Sequence, residues 1–431
     1  MENIMDTKLL LEQIGRTDIP AAERLEALRG IKSAIDAGEI TREGDGSWVN
    51  NHIHTCYSFS PYTPTSAIFY AWKAGLGTAG IMDHDSVGGI KEFIEAGAIM
   101  EMPVTCGFEC RVNVEGTALE GRRINNPDQK SCAYLAMHGI PHQSVDAAAE
   151  VLAGIREKRN ARNRKMCERI TELVSPYGIT LDFDRDVYPI SMAHEGGSIT
   201  ERHILFALTK KITAAYPNRE DACDFIEKMT SPLGATRAKL ISAPDNFYEY
   251  DILGVLKGHM VEKFYIPATE ELMHISEFTA LAKKLGAISA YAYLGDVGES
   301  PTGDKKAQKF EDEYIAELFE TLKEQNFSAV TYMPSRNTAE QLADIMRRCD
   351  EGGLFQISGE DINSPRQSFI CKALADPKYA HLNVATYALI GHENAATECI
   401  CKSMFSDKTA AEIPALSDRV AHFAKLGGLQ K

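Results

Sequence analysis

The chain has 431 residues, with 46 basic against 61 acidic side chains for a formal charge of −15, and 44% of it is apolar. That length holds two or three ordinary domains or one elaborated barrel, and the composition excludes a disordered or fibrous chain. A charge of −15 repels phosphate backbones and no apolar run reaches the ~18 residues of a membrane span, so neither nucleic acid nor a bilayer is an expected partner.

The first residues, Met1-Glu2-Asn3-Ile4-Met5-Asp6, are acidic where a secretion signal is basic. Ten cysteines are scattered without a Cys-x-x-Cys pair, and they read as reduced, mostly buried thiols of a cytoplasmic protein. Residues 7–40 predict helix, because Leu9, Leu10 and Ile14, then Leu25, Leu28, Ile31 and Ile35, recur at spacings of three and four. Gly38 is the stop signal, and residues 1–45 read as a helical extension. From residue 48 strand and helix alternate: strand 48–54, helix 63–73, strand 77–83, helix 88–100, strand 103–112. That is the βα rhythm of a parallel sheet or barrel. Helical segments at 147–175, 198–213 and 220–229 break it, and 143–275 reads as a largely helical insertion. The rhythm resumes with helix 277–285, strand 287–294, helix 309–325, strand 328–333, helix 339–352 and strand 353–361. Helices over 380–401 and 417–426 close the chain. The expected division is a barrel from 46–142 and 276–380, the insertion between them, and C-terminal helices over 381–431.

Chemistry concentrates at the strand ends. His52 and His54 are two apart on one strand, so both leave the same face. Asp83-His84-Asp85 ends the second strand and Glu109 lies at the end of the third. In a parallel barrel these ends gather at one mouth, and neutral imidazole with carboxylate suits Zn, Mn or Fe.

His52-Ile53-His54-Thr55, Gly80-Ile81-Met82-Asp83-His84-Asp85 and Gly107-Phe108-Glu109 together resemble the opening of the PHP (polymerase and histidinol phosphatase) family. The match is specific over 48–112, weaker over 284–363, and Thr200-Glu201-Arg202-His203 is similar to a helix start in that family's insertion. The resemblance implies an α/β fold, a distorted (β/α)7 barrel, with metal-dependent phosphoesterase chemistry and up to three metals at its mouth. His52, His54, His84, Glu109 and Asp361 match its ligands. Other positions depart from it: Phe59 replaces an aspartate, and Tyr293 and Asn363 replace histidines. Tyr134 stands where a further histidine follows the glutamate, with His138 four residues on as a substitute. The set that survives is His52, His54, Glu109 and Asp361 with His84 nearby, which predicts one divalent ion.

The expected roles follow. His84 and Asp85 handle protons, and Tyr293 acts as acid or base. Arg202, His203, Arg336, Arg366 and Asn363 meet an anionic small-molecule substrate. Lys305, Lys306 and the basic run Arg156–Arg169 read as solvated charges, and Cys106 and Cys110 as small core residues. The expected function is hydrolysis of a phosphate ester by a metal-bound hydroxide. Its alternatives are a metal-dependent lyase or non-phosphate hydrolase, or a non-catalytic metal- or ligand-binding protein on a decayed barrel. Oligomeric state is not legible.

Overall fold

The computed structural model describes residues 2–296 and 309–429, so Lys305 and Lys306 lie outside the described residues. Two helices, α1 (Glu2–Ile14) and α2 (Ala21–Asp36), open the chain. The first βα unit follows as β1 (Trp48–Ile53) and α3 (Pro64–Lys73). Thr63 caps α3 by accepting the Ser66 N–H, and Pro64 occupies its first turn, where no donor is missed. Next come β2 (Leu76–His84), α4 (Ile90–Ile99), β3 (Val104–Asn113) and β4 (Cys132–His138). Between β4 and β5 the chain runs through a helical segment, called the insertion below, with α5 (Val145–Val174), α6 (Glu201–Ala215), α7 (Arg219–Met229), α8 (Ala235–Ile241) and α9 (Asp245–Phe264). The sheet resumes with β5 (Met273–His274), α10 (Ile275–Leu285), β6 (Ile288–Ala292), α11 (Ile315–Glu324), β7 (Ala329–Tyr332), α12 (Ala339–Gly352) and β8 (Phe355–Ser358). Helices α13 (Ala380–Glu398), α14 (Asp407–Glu412) and α15 (Leu416–Leu426) finish it.

The strands form one sheet in the order β1-β2-β3-β4-β6-β7-β8, with β5 beside β3. A parallel bridge from Ile53 to Ile362 returns the segment after β8 to β1, so the sheet curls into an α/β barrel-like fold. It is not all-parallel: β4 runs antiparallel to both β3 and β6. Sequence reading missed β4 because Cys132-Ala-Tyr-Leu-Ala-Met-His138 has no β-branched residue, and pairing on both edges overrides that weak propensity.

Helices α1 and α2 belong to the main core, since Ile14, Leu25, Leu28 and Ile31 pack with Ile68, Phe93 and other barrel residues. Arg24 reinforces this contact with a buried fork onto Glu92 at 2.9 and 2.6 Å, where the Thr65 hydroxyl also donates. A second apolar core, built on Ile170, Ile204, Leu208, Ile226 and Leu256, belongs to the insertion. A third, beneath the sheet, takes in α13 and α15, which cross so closely that a Cβ on Gly391 would sit 1.9 Å from the Phe423 carbonyl. At the end of α13, Cys399 and Cys401 are joined as a disulfide, so the all-reduced reading fails there; the other cysteines are free and buried. Among the described residues no helix is long and apolar enough to cross a membrane.

One helix spans both main cores. The first half of α5 buries Val145, Ala148 and Leu152 against the barrel, and its second half buries Met166, Ile170 and Val174 in the insertion. Between them sit Arg159 and Arg162, only 2% and 6% exposed. They are not the solvated charges expected from the basic run. Arg162 Nε donates to Glu271 Oε1 at 2.5 Å and its Nη2 to Glu201 Oε1 at 3.1 Å, while Arg159 pairs with Asp85 and Glu201. Arg111 completes the group, its Nη1 donating to the Tyr265 hydroxyl at 3.1 Å.

Candidate metal centre

The strand β1 is fixed to the far end of the barrel by polar side chains. Asn50 Oδ1 accepts the backbone N–H groups of His52 and Glu360, and its amide donates to the carbonyls of Glu360 and Phe369. Gly359 permits the approach, because a Cβ there would lie 2.6 Å from His52 Cβ. With Ile362 paired to β1, Asp361 is carried beside His54, some 300 positions earlier in the chain. Register does the rest: His84 is paired with Glu109 across β2 and β3.

The five ligand candidates therefore meet. Glu109 Oε1 lies 3.6 Å from His52 Nε2, 3.3 Å from His54 Nε2 and 3.0 Å from His84 Nδ1. Asp361 Oδ1 is 3.2 Å from His54 Nε2, and the His52 and His54 Nε2 atoms are themselves 3.2 Å apart. Two overlapping donor groups result, His52/His54/Asp361 and His54/His84/Glu109.

The orientation of His54 is set from behind. Ser58 Oγ donates to Asp83 Oδ1 at 2.6 Å, so its oxygen is left to accept from His54 Nδ1 at 3.2 Å. Asp83 is held in turn by the Thr55 N–H and hydroxyl. This places the lone pair of Nε2 in the cluster, the carboxylate-backed arrangement of metal-ligating histidines. Burial opposes protonation of His54, yet Asp361 and Glu109 outweigh it and raise its pKa to about 10. Burial lowers His84 to about 4, so that ring is neutral at pH 7. Burial likewise works against ionised Glu109, but His84, His52 and His54 hold it well below the usual carboxylate range.

These donors fit a divalent ion. Bonds of about 2.1 Å in tetrahedral geometry place ligand atoms roughly 3.4 Å apart, and the measured separations of 3.0 to 3.6 Å bracket that spacing. With neutral imidazoles, Glu109 and Asp361 leave a charge that one divalent cation balances. A third group, Cys106, His142 and Glu393, is a different case. There both carboxylate oxygens are engaged, one by the Cys106 N–H at 2.7 Å and one by His142 Nε2 at 3.1 Å.

The cluster opens into a cavity of about 370 Å³ whose wall includes His84, Tyr134, Arg159, Arg202, Arg336 and Asn363. Arg202, Arg336 and Asn363 line this cavity, and other residues expected at the site lie elsewhere or are engaged. His203 is 2% exposed and faces inward: its Nδ1 accepts the Thr200 N–H at 3.0 Å, and burial lowers its pKa to about 3, so it is a neutral cap. Arg366 forks onto Asp251 at 2.6 and 2.5 Å on the outer surface. Asp85 is buried under Arg159 and Arg156 and is no free proton carrier. Tyr293 borders the cavity but donates its hydroxyl to Asp312 at 2.6 Å; burial and that carboxylate push its pKa far up, which removes it as a base. His138 is buried with an unpartnered Nε2 and stands outside both donor groups. Phe59 offers no ligand atom: at φ 91° its ring enters the insertion core against His203, Phe206 and Tyr250.

Sequence reading missed Arg159, Ser58 and Asp83. The Asp-His-Asp run already contained Asp83, but its role depends on a serine from the previous loop.

No family model and no curated protein matches the chain. Among solved structures, it is similar to a candidate metal-dependent phosphoesterase from Bifidobacterium adolescentis, with a TM-score of 0.50 and 20% identity over 77% of this chain and 96% of that one. An amidohydrolase from Chromobacterium violaceum, solved with sulfate bound and no metal, gives a TM-score of 0.49 and 18% identity over 74% and 89%. At that identity the first likeness defines the fold.

Proposed function

We propose that the chain is a metal-dependent hydrolase that cleaves a phosphate ester of an anionic small molecule. The carrying observation is that three imidazoles and two carboxylates converge at the base of a cavity whose wall also presents Arg159 and Arg202. His52, His54, Glu109 and Asp361 would hold one divalent ion with His84 adjacent, and Zn, Mn or Fe suit that donor set. Bound there, the ion supplies Lewis acidity. The remaining work falls to the chain's own groups. His84 faces the cavity as a neutral ring able to take a proton. Arg202 offers its guanidinium to ester oxygens, while Arg159 at the wall is already paired with Asp85 and Glu201 and serves to hold the wall in place. Phe59 and Leu205 supply an apolar part of the wall.

The test is turnover of 4-nitrophenyl phosphate by protein loaded in turn with Zn, Mn or Fe, beside His54→Ala. Metal-dependent turnover lost in His54→Ala supports the reading. Metal binding without phosphate release would favour a lyase or non-phosphate hydrolase on an anionic small molecule. That second reading draws on Phe59, Tyr293 and Asn363, which stand where the resembled family has ligands and so count against its multi-metal clamp.

A further inference from the structure

Asn363 was expected to meet the substrate, but its side chain is committed elsewhere. Arg202 Nη1 donates to Asn363 Oδ1 at 2.5 Å and to the Asn363 carbonyl at 3.3 Å. On the other side, Asn363 Nδ2 donates to Asp361 Oδ1 at 2.5 Å. This amide can face only one way: a guanidinium has no acceptor and an ionised carboxylate no donor, so the oxygen must meet Arg202 and the nitrogen Asp361. The backbone beneath it is fixed, with the Asn363 N–H donating to Gln367 Oε1 at 2.6 Å and Ile362 bridged to β1.

The two ends of this link lie in different parts of the molecule. Arg202 opens α6 in the insertion and its guanidinium lies 5.9 Å over the Phe59 ring, which is itself seated in the insertion core. Asp361 Oδ1, the oxygen that Asn363 grips, is the one 3.2 Å from His54 Nε2. One amide therefore spans from the cationic wall of the cavity to an oxygen of the donor group.

We propose that Asn363 is a positioning residue that couples Arg202 on the insertion to the metal-binding carboxylate of Asp361, so that metal affinity depends on an arginine that touches no metal. This rests on the reading of His52, His54 and Asp361 as metal ligands, and it is independent of whether the substrate is a phosphate ester. Groups that orient a ligand from behind change metal affinity by about 10–100-fold when removed.

The experiment is a metal-affinity cycle, with Zn and Mn titrated by chelator competition into the full chain and into Asn363→Leu, Arg202→Leu and the double variant. Thermal melting of each reports on folding. Asn363→Leu should weaken metal binding about 10-fold or more, and Arg202→Leu several-fold. The double variant should be no weaker than Asn363→Leu alone, because both remove one link. Arg202→Lys, which keeps a donor for the Asn363 oxygen, should recover part of the loss. An unchanged affinity in Arg202→Leu, or effects that multiply, overturns the coupling, and Arg202→Leu alone decides it if Asn363→Leu does not fold. A wild-type chain that binds no metal overturns both this proposal and the ligand assignment. Metal binding with the predicted cycle but no phosphate release overturns only the phosphoesterase reading.

Discussion

Two places in this molecule bury several charged or titratable groups, and they solve the problem in opposite ways. At the joint between barrel and insertion, Arg111, Arg159 and Arg162 face Asp85, Glu201 and Glu271, so the charges cancel inside the protein. At the barrel mouth, Glu109 and Asp361 have imidazoles as their ion-pairing partners, with the Asn363 amide also donating to Asp361, and an imidazole can give up its proton to a metal where an arginine cannot. The first cluster is complete as it stands, and the second presents converging donor atoms that a cation would complete. Burial alone does not mark a functional site; uncompensated charge with converging lone pairs does.

The sharpest way to break the contrast is to remove a charge from each place. Arg162→Ala leaves Glu201 and Glu271 short of a buried partner and should cost about 3–5 kcal/mol. Denaturant unfolding would register this as a lower midpoint while metal binding per folded molecule stays close to wild type. The joint assignment fails if the variant is as stable as the parent. His52→Ala with His54→Ala should do the reverse: elemental analysis should find no stoichiometric metal while the chain stays folded. A smaller effect is expected behind the ligands. Ser58→Ala removes the acceptor that orients His54 Nδ1 and should weaken metal about 10-fold, read by the same chelator competition. Arg366→Ala should change stability by less than about 1 kcal/mol, since its pair with Asp251 is half in solvent, and it should leave turnover unaltered.

The mouth was legible in sequence and the joint was not, for a physical reason. His52 and His54 stand out through their spacing taken together with His84 and Glu109 at the next two strand ends. Arg159 and Arg162 carry no such mark: in a helix rich in Lys and Arg they resemble exposed neighbours, and only Asp85, Glu201 and Glu271, brought from distant elements, reveal them as buried. Helix positions were legible, as over 63–73 and 339–352, and the structure adds the caps, with Thr63 accepting the Ser66 N–H and Thr338 the Gln341 N–H. The antiparallel β4 was not, because it has no β-branched residue and its pairing with two neighbours imposes it. His203 shows the converse error, a conspicuous polar residue at a helix start that serves the helix itself.

The central claim, that the mouth is completed by one divalent ion, is tested most directly by metal stoichiometry measured together with anomalous scattering from crystals of the loaded protein. The account predicts one ion per chain, ligated by His52, His54, Glu109 and Asp361 with His84 adjacent, and none in the joint. Two or three ions at the mouth would contradict the single-ion account, and an empty mouth in protein saturated with Zn or Mn would contradict the assignment of the site itself.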